Sequence, residues 1–269
     1  MSLAMDYVHG YSAREGIRLR DQANALAELL HSGTRYGAGV RVLEAGCGTG
    51  AQTVLLADRS PEALFTSIDV SERSLAEAGR RVELAGYENV RFLQADIHRL
   101  PFEPSSFDHI FVCFVLEHLG DPAAALRALM TVVKPGGSLT VIEGDHGSAY
   151  FHPASERASR VIQCLIDLQQ LAGGDSLIGR RLYPLLVHAG YRDVQVTPRV
   201  AYADGSRPDL ADAITLKTFT AMVEGVADQA VGQGLIDAAS WSAGIRDLKR
   251  AADDDGTFCY TFFKAVAVR

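Results

Sequence analysis

The strongest constraint on this chain is seven residues long. Glu44-Ala-Gly-Cys-Gly-Thr-Gly50 sits between a short apolar stretch, 40–45, and a helix-forming one, 49–58. Gly46, Gly48 and Gly50 allow a sharp turn and let the backbone come close to a ligand. A strand that ends in such a turn and feeds a helix is the first unit of a doubly wound sheet, and its carboxyl end opens on the ligand crevice. The same alternation continues downstream. Strands are expected at 64–69, 90–95, 107–114 and 138–143, with helices from Ser71 to about Gly86 and from Pro122 to about Val133, and a turn at 134–137. The strands read as continuous apolar runs, as parallel strands covered on both faces do. Residues 40–143 therefore predict a doubly wound α/β core.

The rest of the chain has a different rhythm. Ser12 and Glu15 have the spacing of a capping box before a helix over 12–32. Helices are expected at 156–171, 178–189, 208–224 and 236–252, with strands at 191–200 and 257–268. With 269 residues, the chain is read as one domain (1–269) with a cofactor-binding core at 40–145 and helical cap insertions at about 148–171 and 201–256. The net charge of −7 argues against a phosphate-backbone partner, so no nucleic acid is expected. No apolar run is long enough for a membrane span. No leader pattern precedes the first helix, which points to the cytoplasm. The four cysteines, Cys47, Cys113, Cys164 and Cys259, are too far apart for a zinc or redox motif, so no metal is expected.

Charge narrows the ligand at the glycine turn. Gly46, Gly48 and Ala51 also satisfy the dinucleotide pattern, which keeps a nicotinamide oxidoreductase in view. Glu44, however, is a poor neighbour for a pyrophosphate. S-adenosylmethionine (SAM) instead brings a sulfonium and an ammonium, which a carboxylate favours. Asp69 and Asp96 end the next two strands, so three carboxylates converge on one rim. Asp69 suits ribose hydroxyls, and Asp96 suits the adenine amino group.

Taken in order, EAGCGTG, SIDVS, QADIHRLPF, FDHIFVCFVLEHL and VKPGG resemble the successive motifs of class I SAM-dependent methyltransferases, type 11, the ubiquinone/menaquinone-biosynthesis type. DYVHGYSARE, IEGDHGSAYFHP and GTFCYTFFK extend a similarity to uncharacterised archaeal and bacterial members over nearly the whole chain. The resemblance implies a Rossmann-like seven-stranded sheet in the order 3-2-1-4-5-7-6 with the last strand antiparallel. It implies SAM as cofactor. Glu44, Gly46 and Gly48 would line the methionine moiety, with Asp69 on the ribose and Val70 on the adenine. Asp96 and the Ile97 backbone would meet the adenine edge, and the carbonyls of Val112 and Cys113 the ammonium. Tyr11 lies in a segment that closes over the cofactor in similar enzymes.

Methyl transfer is an in-line displacement that needs a base only if the acceptor must lose a proton. His146, just after the fifth strand, is the candidate base, with Glu143 or Asp145 to orient it. His118 is a weaker candidate. Tyr150, Phe151 and His152, and in the second insertion Phe219, Met222 and Trp241, are placed to line an acceptor pocket or to pack the cap. The expected activity is methylation of a small-molecule acceptor. A SAM-binding regulator, or a protein with another SAM-dependent reaction, is the alternative.

Overall fold

The structure, a computed structural model, describes residues 26–269. Residues 26–31 are helical, within the helix expected over 12–32, and the chain turns at Ser32; positions 12–25 of that expectation and Tyr11 lie outside the described residues. The alternating core follows: β1 (Arg41–Ala45), α1 (Ala51–Arg59), β2 (Leu64–Asp69), α2 (Glu72–Leu84), β3 (Val90–Gln94), β4 (Phe107–Cys113), α3 (Pro122–Val132) and β5 (Val133–Gly144). After it come β6 (Tyr150–His152), α4 (Glu156–Leu171), α5 (Leu182–Ala189), β7 (Arg192–Asp204), a helical stretch α6 over 208–224, α7 (Ala227–Gly232), α8 (Ala238–Lys249) and β8 (Thr257–Val268). Local chemistry explains the starts. Ser71, Asp121, Ser155 and Asp237 each accept a backbone N–H in the first turn of the helix that follows.

The strands form one sheet, in which β3, β2, β1, β4 and β5 are parallel neighbours in that order. β8 then runs antiparallel to β5, pairing Ser138 with Val268 and Gly144 with Phe262. β7 pairs antiparallel with β8 along almost its whole length. The expected order is therefore found, its sixth and seventh strands being β7 and β8. The eighth strand is an addition. β6 pairs with the start of β8, Tyr150 opposite Cys259, on the edge that β5 occupies further along. It takes Tyr150, Phe151 and His152 into the sheet and leaves Tyr150 exposed.

Other departures have local causes. The expected turn at 134–137 is the irregular start of β5, where Val133 pairs with Phe107 before the register resumes at Ser138 and His109. Gly137 is needed there because a Cβ would lie 2.5 Å from the Asp108 carbonyl oxygen. The helix expected at 178–189 starts as a 3-10 turn, Ile178–Arg181. Within α6, residues Asp212–Thr220 wind as a π-helix, and the Thr218 hydroxyl donates to the Ala213 carbonyl at 2.7 Å.

Adjacent strand residues serve opposite faces. Val42, Phe65, Phe111 and Ile142 join one buried cluster, and Leu43, Ile68, Ile110 and Val141 join the other. The first is completed by residues 26–31 and by the cap helices α4, α6 and α8; the second by α3 and α5. Phe219, Met222 and Trp241 are buried in the first cluster, so they pack the cap onto the sheet. Lys264 of β8 is buried too, and donates to the Ser32 carbonyl and the Thr34 hydroxyl.

Buried acids also stand among the strands. Glu44, next to last in β1, has its carboxyl buried, and one of its oxygens accepts from the Thr53 hydroxyl of α1 at 2.7 Å and the Ser67 hydroxyl of β2 at 2.6 Å. Burial pushes it from the ordinary 4.5 up to about 7, against the pull of those two hydroxyls. An acid raised by folding contributes most below its unfolded value and loses that contribution as pH rises through the folded one. Glu44→Gln keeps an acceptor for both hydroxyls. In urea titrations, the wild type should lose stability relative to this variant between pH 4.5 and about 7 and hold a constant difference above that. A pH-independent difference would show that folding leaves the Glu44 carboxyl where it titrates in the unfolded chain.

Candidate functional site

The carboxyl ends of β1 to β4 bring the candidate cofactor residues to one rim. The loop after β1 is tied to β2 by its own backbone: the Gly46 and Cys47 amides donate to the Ile68 carbonyl at 2.8 and 2.9 Å. The Gly48 amide donates to one oxygen of Asp69 and the Ser71 amide to the other, both at 2.9 Å. Asp69 is thereby held across the glycine loop, and each of its oxygens keeps a lone pair for a further donor. Burial raises its carboxyl, while those amides pull it back.

The glycines divide by role. At Gly46 φ is +80°, and a Cβ would fall 2.4 Å from Val115 Cγ2, so the loop is packed against the segment after β4. At Gly48 φ is +51° and a Cβ would meet nothing within 4 Å. The second position therefore requires glycine for its backbone and leaves open space over the loop. Beside it, the buried Thr49 hydroxyl has no hydrogen-bond partner among the described residues. Val70, just past β2, is 58% exposed, an apolar surface of the kind a ring packs on. One Asp96 oxygen accepts the His98 amide at 2.8 Å, and Ile97 is buried beside it. Val112 forms the last pair between β4 and β1, and Cys113 lies one residue beyond it. Burial raises the Cys113 thiol well above its ordinary value, reinforced by the carboxylates of Glu143, Glu44 and Glu117.

These features fit an adenosyl ligand with a charged amino-acid end. There is an open glycine face, a carboxylate positioned for hydroxyls, an exposed apolar residue and an unpartnered hydroxyl. Glu44 is the exception in reach, because its carboxyl is buried against Thr53 and Ser67.

The second group of residues lies past β4 and β5. His146 is buried, with Nδ1 2.7 Å from the Tyr260 hydroxyl and Nε2 3.9 Å from Glu117 Oε2. Phe219 packs edge-on against its ring. The residues expected to orient it are engaged elsewhere. Asp145 makes a two-pronged pair with Arg180 at 2.6 and 2.7 Å and accepts the Gly147 amide. Glu143 Oε1 accepts the Val115 and Leu116 amides at 3.0 and 2.7 Å. Tyr260 and Glu117 take their place. His118 lies 3.5 Å from Glu117 Oε1 and 3.4 Å from Gln169 Nε2.

Sequence reasoning missed Tyr260, Glu117 and Gln169. Glu117 lies inside the LEHL string, but a helix-start acid carries no distinguishing mark. Tyr260 is one of several aromatics in the last strand, and only the register of β8 against β5 brings it to Gly144, where a Cβ would touch its hydroxyl at 2.3 Å. Among the described residues, no cluster of His, Cys, Asp and Glu is arranged to hold a metal ion, the cysteines are free thiols, and no helix is long and apolar enough to cross a membrane.

Known proteins carry the same plan. The demethylmenaquinone methyltransferase of Thermus thermophilus is 39% identical over 103 residues, which are 38% of this chain and 46% of that protein. The chain spans between 24% and 46% of the length of the first curated relatives it matches. The phosphoethanolamine N-methyltransferase 2 of Haemonchus contortus, solved with S-adenosylhomocysteine, superposes with a TM-score of 0.58 at 18% identity, over 96% of this chain and 58% of that one. The [4+2]-cyclase SpnF superposes with a TM-score of 0.52 at 21% identity, over 94% and 80%. At these identities the structural likeness is one of fold. The family model described as a methyltransferase domain matches residues 37–190, more than half of the sequence, and the chain belongs to that methyltransferase-domain family.

Proposed function

We propose that the chain binds SAM at the rim of β1 to β4 and catalyses transfer of its methyl group to a small-molecule acceptor. The observation that carries this reading is the Asp69 bridge, in which one carboxylate closes the glycine loop through Gly48 and Ser71 and still presents lone pairs outward. When bound, SAM supplies an activated methyl on a sulfonium. The chain's share is then to bind, orient and exclude water. Asp69 takes the ribose hydroxyls, Val70 and Ile97 flank the adenine, and Asp96 meets its amino group. Gly46 and Gly48 give the backbone surface for the methionine moiety, Glu44 adds negative charge behind it, and the carbonyls of Val112 and Cys113 receive the ammonium. Tyr11 is proposed as a closing residue over this site. The helices of the two insertions, α4, α6 and α8, form the cap on the acceptor side. The free thiols fit a reducing, cytoplasmic setting.

His146 is the proposed base. In the tautomer with hydrogen on Nδ1, it donates to the Tyr260 oxygen and turns the Nε2 lone pair toward Glu117. Burial holds the Tyr260 hydroxyl in its neutral form. A second reading is favoured by one finding: the likeness to a [4+2]-cyclase at a TM-score of 0.52 means that the fold also serves a protein named for a different reaction. SAM binding without a methylated product across a broad acceptor panel would support it.

Two substitutions test the assignment. Asp69→Ala should weaken SAM binding by about 1–3 kcal/mol, the scale of hydrogen bonds to a charged group. Calorimetric titration reads this directly, and unchanged affinity in a folded variant would remove Asp69 from the site. His146→Ala should reduce turnover, once an acceptor is in hand, far more than it changes SAM affinity. Turnover equal to that of the wild type would exclude His146 as the base.

A further inference from the structure

We propose that the buried acids Glu117 and Glu143 form the acceptor subsite and select a molecule with a basic amine nitrogen. This rests on the methyltransferase reading above and names the class of its acceptor. Both carboxyls lie past the ends of β4 and β5, with Glu117 7% and Glu143 0% exposed. Among the described residues, the only charged partners of Glu117 are His118 and His146, and Glu143 has none. Arg180 is committed to Asp145, and Lys264 to Ser32 and Thr34. Two buried acids without a Lys or Arg carry a large desolvation cost that a positive ligand would offset.

A second observation points to a ligand as well. Among the described residues, Glu143 Oε2 is buried with no hydrogen-bond partner, although Oε1 of the same carboxyl accepts two backbone amides. Gln169 is 1% exposed, and its Nε2 donates toward Glu117 Oε2 at 3.2 Å, which places the amide in the cluster; its Oε1 is also unpartnered. Two acceptor atoms, on the two side chains that meet Glu117, are thus left unsatisfied, where buried polar atoms are normally paired. An alkylammonium supplies N–H donors and positive charge but no acceptor, which is the complement of this set. His118, with 22% of its side chain exposed, marks where the cluster reaches solvent. Burial, with Glu117 alongside, holds the Glu143 carboxyl well above the usual range until such a cation arrives.

The chemistry balances. The ammonium gives one proton to His146 Nε2, the freed nitrogen lone pair forms the N–C bond, and the C–S bond breaks with its electron pair on sulfur. The carboxylates hold the remaining N–H groups and the charge that returns to nitrogen as the methyl arrives.

The test is binding. The chain saturated with S-adenosylhomocysteine is titrated calorimetrically with propylamine and benzylamine, and with propanol and benzyl alcohol as uncharged partners of the same shape. At least one amine should bind about tenfold or more tightly than its alcohol, a difference of about 1.4 kcal/mol. Glu117→Gln and Glu143→Gln should each bring that preference close to parity. The amide of the second still accepts from Val115 and Leu116, which preserves the local fold. Alcohols that bind as well as the amines, amines that fail to bind, or a preference that survives in both variants would overturn the inference while leaving the cofactor site standing. Failure to bind S-adenosylhomocysteine at the outset would instead overturn the methyltransferase reading, and the amine subsite with it.

Discussion

The rest of the structure hangs on the insertion of β8 between β5 and β7. This one antiparallel strand satisfies backbone groups on both of its edges and turns a parallel five-strand core into the full sheet. Its side chains then serve both faces. Phe258, Tyr260 and Phe262 join the cluster under the cap, and Ala265 and Ala267 join the opposite one. Lys264 reaches back to Ser32 and Thr34, fastening the segment that leads into β1. Without β8 the cap would have no floor and His146 no tyrosine.

The two halves of the site are built by different physics. The cofactor rim is mainly backbone geometry: positive φ at the glycines, amide donors on Asp69, and strand ends in register. Its side chains are few and partly open. The proposed acceptor side is a buried polar cluster in a cap of aromatic and aliphatic residues, where each unpaired atom matters because water is excluded. Cys113 is the hinge between them, lying within the field of Glu44, Glu117 and Glu143 together. The thiol thus ties the two groups of residues together, since acids from both act on it.

Most of the fold and of the cofactor rim could be read from the sequence because both depend on local signals. Ser71 and Ser155 announce their helices, apolar runs announce β1 to β5, and Gly46 and Gly48 announce the turn by residue type alone. β6 escaped because Tyr150–His152 is only three residues long and is a strand solely by virtue of β8 beside it. The π-helical winding at Asp212–Thr220 escaped because its apolar spacing is compatible with an ordinary helix. The partners of His146 escaped for a deeper reason. Glu143 and Asp145 are its neighbours along the chain, whereas Glu117 and Tyr260 come from the segment after β4 and from the last strand, and only the tertiary register unites them. Local sequence foretold that a histidine would follow the fifth strand but not what it would touch.

The placement of β8 also has a consequence for how the chain reaches its fold. Its partners on β5 lie more than a hundred positions earlier, so the sheet's central antiparallel pairing is among the slowest kinds of contact to form. Until it forms, the outer edge of β5 is an unpaired, apolar strand of the sort that pairs with whatever strand arrives first. During synthesis on the ribosome that edge would stand open while all the cap helices emerge. The same strand that completes the sheet is therefore the last whose absence leaves an edge open.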